Sequence, residues 1–305
     1  MDDWLQALLR FAHYALLLGL FGAAAFRAFG MGRLVAAGAV PAPRVALAVG
    51  CALAALVSLA LMAVSVAAMM GQPVRTLHWP MFEVMVASTS MGSAFLIRLA
   101  ALLAAMVVLA LPLGRWSSAG AFLLGVAVAT LAWSGHAAAG EGTLGTLHRA
   151  NDVAHLLASG IWIGAIGWFA YLVAAAHRRR DAAASVPLLA AMHRFAPLGA
   201  ALVGIVAVSG IANAHLIFGL ENSGGVLRTA YGAWLAAKVA LVAAMLLFAG
   251  RNALLSRRIA RAGANASVAA ELLLPALRRS LAAELSLAVA VIGSVAVLGL
   301  MSPMH

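Results

Sequence analysis

A chain with one cysteine in 305 residues builds no disulfide within itself, and without a CxxC or CPC motif it offers no thiolate metal centre. Cys51 lies inside an apolar run and reads as a small packing residue. Charge is scarce too: Asp, Glu, Lys and Arg together make up 10% of the sequence, against 65% hydrophobic residues. No soluble core of this size needs that ratio. There is no GxxxxGK[ST] and no loop long enough for a nucleotide-binding domain, so the chain is not by itself an ATP-driven pump. The absence of HExxH, GxSxG and paired carboxylates points away from a protease or hydrolase, and no enzymatic activity is expected. No internal repeat is evident, which argues against an inverted-repeat transporter. Asp2 and Asp3 open the chain with no basic segment before the first apolar run, so that run is expected to stay in the protein rather than to be cleaved as a signal peptide.

What the chain does have is eight apolar stretches, at 4–26, 45–70, 82–111, 117–135, 153–175, 195–217, 230–250 and 280–300. Each holds about 20 or more residues, enough to cross about 30 Å of hydrocarbon as a helix. The expected fold is an all-α, polytopic membrane helix bundle of eight transmembrane helices, forming one domain over 1–305. Lys and Arg sort unevenly between the connections. The first, third, fifth and seventh carry fourteen, including Arg27, Arg115, Arg178 and Arg278, and the remaining connections carry only Arg75, Arg149 and Arg228. Positive residues stay cytoplasmic, which puts both termini on the outer side of the membrane. The net charge of +11 is therefore a consequence of topology and of contact with anionic membrane lipids, and not a sign of nucleic acid binding. The connection 251–279 reads as a basic linker with a short interfacial helix near Val268–Arg279.

Histidines gather toward the outer face. His78, His136, His148, His155, His215 and His305 lie at or near it, and His13 lies deeper in the first stretch. His177 and His193 fall beside arginines on the other side. In the fifth stretch His148, Asp152 and His155 stand at i, i+4 and i+7, on one helix face. Asp152 is suited to accept the second ring N–H of either histidine and so to aim the other nitrogen at a metal. The competing reading makes Asp152 a first-turn acid at the start of that helix. His136 needs only a short loop to reach the same place. Imidazole with carboxylate suits Cu(II) or zinc, and imidazole with thioether suits Cu(I). Further ligands in this set are His78, His215, Met304 and His305, with Met69, Met70, Met81, Met85 and Met301 nearby. An alternative is a b-type haem electron-transfer protein, with axial ligands drawn from His13, His136, His155 and His215. Arg98 and Lys238 are embedded charges, read as bonding carbonyls or acids between helices, or as gating cations. Gly19-x-x-Gly22 and Gly160-x-x-x-Gly164 are small-residue patterns that permit close helix approach.

These residues resemble the copper resistance protein D family of bacterial inner-membrane proteins. The most specific segments are Gly135-His136-Ala137, Asn151-Asp152-Val153-Ala154-His155-Leu156-Leu157 and Gly160-Ile161-Trp162-Ile163-Gly164. Also similar are Arg10-Phe11-Ala12-His13, Gly92 with Arg98, Arg194-Phe195-Ala196-Pro197, Ser209-Gly210-Ile211-Ala212-Asn213, Tyr231-Gly232 with Lys238, and Leu277-Arg278-Arg279-Ser280 with Glu284. The resemblance implies eight helices and copper handled inward from the periplasm, beside a periplasmic copper carrier. No carrier domain lies within these residues, so the carrier is expected as a separate partner. The resemblance carries metal roles first to His136 and His155, then to His13 and Asp152. A non-transporting copper-delivery partner in assembly would use the same site.

Overall fold

The structure is a computed structural model that describes residues 2–32, 34, 43–111, 117–134, 142–179 and 182–302. Among the described residues it is all helix, with no strand. The helices are α1 (Asp2–Ala25, continued by a wider π turn at Phe26–Gly30), α2 (Arg44–Met69), α3 (Trp79–Ser88), α4 (Ser90–Ala110), α5 (Ser117–Ala129, tightening into a 3-10 turn at Thr130–Trp133), α6 (Gly142–Arg179), α7 (Ala182–Phe218), α8 (Ala230–Arg261) and α9 (Ala266–Leu298). Seven of these are long and apolar enough to cross a membrane, and the shorter α5 region, Ser118–Trp133, is apolar as well.

Three boundaries differ from the sequence reading. The run 82–111 is broken at Thr89, where the backbone is extended and the Thr89 side chain accepts from the Gly92 N–H at 2.9 Å, capping a new helix. The presumed linker 251–279 is almost entirely helix: α8 and α9 run into it and turn only at Gly263–Asn265, where Gly263 takes φ +53°. Arginine does not end a helix, and a long basic side chain can reach water from a helix that leaves the hydrocarbon. Finally α6 starts at Gly142, ten residues ahead of Asp152, so Asp152 is a mid-helix residue and not a first-turn acid.

α1 is central, packing on α2, α5, α6 and α9, while α6 packs on α7, α9, α5 and α1. One core cluster surrounds α1 with Leu17, Leu20, Phe21, Leu102, Leu124 and Val128. A second, toward the arginine-bearing end, joins Phe26, Trp168, Phe169, Leu189, Ile259 and Leu277. The α1–α6 crossing is close because both partners are glycine. A Cβ built on Gly22 would fall on the Gly160 carbonyl and lie 2.8 Å from Gly164 N. Trp168 Nε1 donates to the Ala23 carbonyl at 2.9 Å beside it. Leu247, Phe122 and Val208 are more than two-thirds exposed. Such side chains would be a liability in water and are ordinary against lipid.

Candidate functional site

α6 carries His148, Asp152 and His155 along one face, and all three line a cavity of about 210 Å³ that is closed by α1, α7, α8 and α9. The partners of these groups come from α7, more than 50 residues away in sequence. Ser209 Oγ donates to the Ile205 carbonyl of its own helix, so its lone hydrogen is committed. His155 Nδ1, 2.8 Å from the same oxygen, must then be the donor. This leaves His155 Nε2 with its lone pair, the form in which imidazole binds a metal. Asp152 stands in the same cavity. Its Oδ1 accepts from Asn213 Nδ2 at 3.1 Å, and Asn213 Oδ1 accepts from Asn151 Nδ2 at 2.8 Å. Asn151 Nδ2 also donates to the Ser209 carbonyl at 2.9 Å. Lys238 lines the cavity and lies within electrostatic range of both Asp152 and His155.

His13 opens on a different cavity of about 360 Å³, lined also by Ser58, Met62, Met69, Met91 and Arg98. The imidazole is 1% exposed, and its Nε2 stands 2.8 Å from Ser58 Oγ. Ser58 donates to the Ala54 carbonyl at 2.7 Å, so His13 Nε2 carries the hydrogen and Nδ1 keeps the lone pair. Arg98 donates through Nε to Thr130 Oγ1 at 2.8 Å and through Nη2 to the Thr130 carbonyl at 3.2 Å. Arg10 and Tyr14 line both cavities. The two imidazoles therefore face separate spaces, which does not suit one haem held between His13 and His155.

A third cavity of about 320 Å³ lies toward the other end of α6–α9. It is walled by Trp162, Ile166, Phe169 and Phe195, and its polar feature is Asn252 Nδ2 donating to Glu284 Oε2 at 2.7 Å.

His78 stands exposed just ahead of α3, and His215 Nδ1 accepts from the Leu220 N–H at 3.4 Å at the end of α7. Met301 packs with Phe218 and Tyr231, while Met70 and Met85 pack on Met62 and Phe95. His136, Met304 and His305 lie outside the described residues. Among the described residues no three His, Cys, Asp or Glu side chains stand close enough to form a ready-made metal centre. The residues that sequence reasoning left out are the serines, Ser58 and Ser209, and the acid–amide pair Glu284–Asn252. Ser209 and Glu284 fall within the family-like segments of the sequence, where spacing alone gives them no role.

An all-helical polytopic membrane protein with polar, histidine-lined cavities inside its bundle is the class that these observations define. Residues 1–146 match the copper resistance protein D-like N-terminal domain family, and residues 189–298 match the copper resistance protein D family. The chain is 36% identical over 262 residues to "Copper resistance protein D" of Pseudomonas syringae pv. tomato, covering 83% of this chain and 82% of that protein. It is 31% identical over 135 residues to "Copper transport protein CutJ" of Bacillus subtilis (strain 168), covering 44% of this chain and 23% of that protein. No solved structure matches. The chain belongs to the copper resistance protein D family.

Proposed function

We propose that this protein binds copper in a bacterial inner membrane and mediates its uptake from the periplasm toward the cytoplasm. In this reading the chain spans the membrane eight times, with α5 as the short span and both termini periplasmic. The capture site is the cavity of His148, Asp152 and His155, with His136 assigned to it as a further ligand. The observation that carries the reading is the Ser209 contact: it fixes the His155 tautomer with Nε2 unprotonated in a cavity that also holds a carboxylate, inside the membrane bundle. Ionisable groups at such depth mark ion pathways by default. Copper is the cargo because the relatives are named for copper resistance and copper transport.

No ATPase drives the step, so the ion follows its gradient, the membrane potential or trapping inside the cell. A monovalent cation moving inward gains about 2.3 kcal/mol per 100 mV. The metal is handed over by a separate periplasmic carrier. The test is copper uptake by cells and by proteoliposomes carrying wild type or His155→Ala. Uptake by wild type and its loss in the variant supports the reading. Equal uptake by both would sink the site assignment, and copper binding without flux into proteoliposomes would turn the protein into a delivery partner.

A further inference from the structure

Residues in the two halves of the chain correspond in pairs. Thr89, Gly92 and Arg98 stand at the spacing of Thr229, Gly232 and Lys238, displaced by 140 residues. The backbone does the same thing at both places. Each threonine is extended (φ −109°, ψ 153° and φ −93°, ψ 164°) and accepts from the glycine N–H, at 2.9 and 3.1 Å. Neither glycine can carry a Cβ, because the backbone of the residue six positions earlier, Val86 or Val226, occupies that space. His13 and His155 each follow an alanine and each precede by nine residues the glycine of the α1–α6 crossing, Gly22 or Gly164. Each imidazole donates at 2.8 Å to a serine that donates to the carbonyl four residues back. Buried Thr130 and Ser294 each donate to the carbonyl three residues back, at 2.6 and 2.7 Å. The packing is symmetric too: α1 touches α9 as α6 touches α5, and α1 meets α6 at the glycines.

These correspondences relate α1, α2, α4 and α5 to α6, α7, α8 and α9 in the same chain direction. This is a parallel repeat, in contrast to the inverted kind. Nine residues of helix put both imidazoles about 13.5 Å from the crossing, on the same side. They are side by side, not stacked along a path.

We propose that the chain is a tandem duplication of a four-helix unit, and that each copy holds its own metal station, so that the protein takes two copper ions. The inference rests on the copper reading above and adds a second site to it. The two stations differ in softness. His155 has the Asp152 carboxylate within its cavity, which offsets the charge of Lys238. His13 has the thioethers of Met62, Met69 and Met91 in its cavity, and no carboxylate lines it among the described residues. Arg98 is fixed there by Thr130. Repulsion from a fixed cation scales with the charge of the ion, so a cuprous ion suffers half the penalty of a cupric one. Imidazole with thioether is also a cuprous donor set. The His13 station is therefore specific for Cu(I).

The experiment loads the full chain in lipid nanodiscs with cuprous ion under ascorbate and measures copper per chain, together with the X-ray absorption signature of copper–sulfur bonds. Wild type is expected to hold about two ions, and His13→Ala and His155→Ala about one each, with sulfur scattering lost only in the first. Should His13→Ala fail to fold, the double variant Met62→Leu, Met91→Leu, which nearly conserves volume, is expected to lose the same ion and the sulfur signature. A wild type with one ion that both His13→Ala and the methionine variant retain overturns the second station while leaving the His155 site standing. A wild type with no copper overturns the reading on which it rests.

Discussion

The α1–α6 crossing gives the sharpest stability prediction. Replacing Gly22 by alanine adds one methyl group facing α6. That methyl would coincide with the Gly160 carbonyl and lie 2.8 Å from Gly164 N and 2.9 Å from Gly164 Cα, where ordinary contact begins near 3.4 Å. The obstacles are backbone atoms, which have no rotamer to change, so the helices must part by at least half an ångström. Overpacking of this kind costs about 1–3 kcal/mol, and backbone obstacles place Gly22→Ala toward the upper end. Gly19 and Gly167 lie on the same two helices with open space where a Cβ would go. Alanine at either should stabilise by up to about 1 kcal/mol through helix propensity. The assay is reversible unfolding of the reconstituted protein by increasing SDS in mixed micelles, comparing the three single variants. If Gly22→Ala proved as stable as Gly19→Ala, α1 and α6 would not meet at these glycines, and the symmetric placement of His13 and His155 would fall with that contact.

Two further outcomes follow from the hydrogen bonds. Ser209→Ala removes the group that fixes the His155 ring, and a lost orienting partner weakens metal binding by about 10–100-fold. Competition with a chromophoric copper chelator reads this directly, and unchanged affinity would show that Ser209 does not orient a ligand. Asn252→Ala strands the buried Glu284 carboxyl without its 2.7 Å donor and should cost about 1–3 kcal/mol in the same SDS titration, whereas Glu284→Gln, which can still accept that bond, should cost less. Equal losses in both variants would refute the pairing.

Membrane character was legible because it is a matter of composition: Leu, Val and Ala in runs of helix-spanning length need no partner to declare themselves. The break at Thr89 was not, since hydropathy is continuous across it and the signal is a side chain capping a backbone N–H three residues on. The turn at Gly263 was hidden behind arginines that looked like linker. On α6, the i, i+4, i+7 spacing of His148, Asp152 and His155 told which side chains share a face, and the structure gives them a common cavity. Helical periodicity is silent about the other wall, so Ser209 and Asn213 could not be assigned as partners. The proposed repeat is faint in the sequence because lipid-facing and core positions exchange Leu, Val and Ala freely. Only positions with polar or steric duties, such as Thr89, Gly92 and Arg98, keep their counterparts.

Duplication does not make the two halves equal in what they can pass. Beyond His155, at the other end of the same four helices, lies the cavity that holds Asn252 and Glu284. Between them stands an apolar layer of Trp162, Ile166, Met245 and Ala288. An intramembrane carboxylate on the far side of that layer gives a cation somewhere to go once the layer shifts. In the register that matches Ser294 to Thr130, the counterpart of Glu284 is Gly120, and the space over it is filled by Leu109. Leu102 and Leu124, both fully buried, close the rest of that half. On the proposed reading an ion at His13 therefore has no carboxylate ahead of it among the described residues, and an ion at His155 does. On that same reading the first copy holds its ion and the second passes its ion on, while Arg10 and Tyr14 line both cavities.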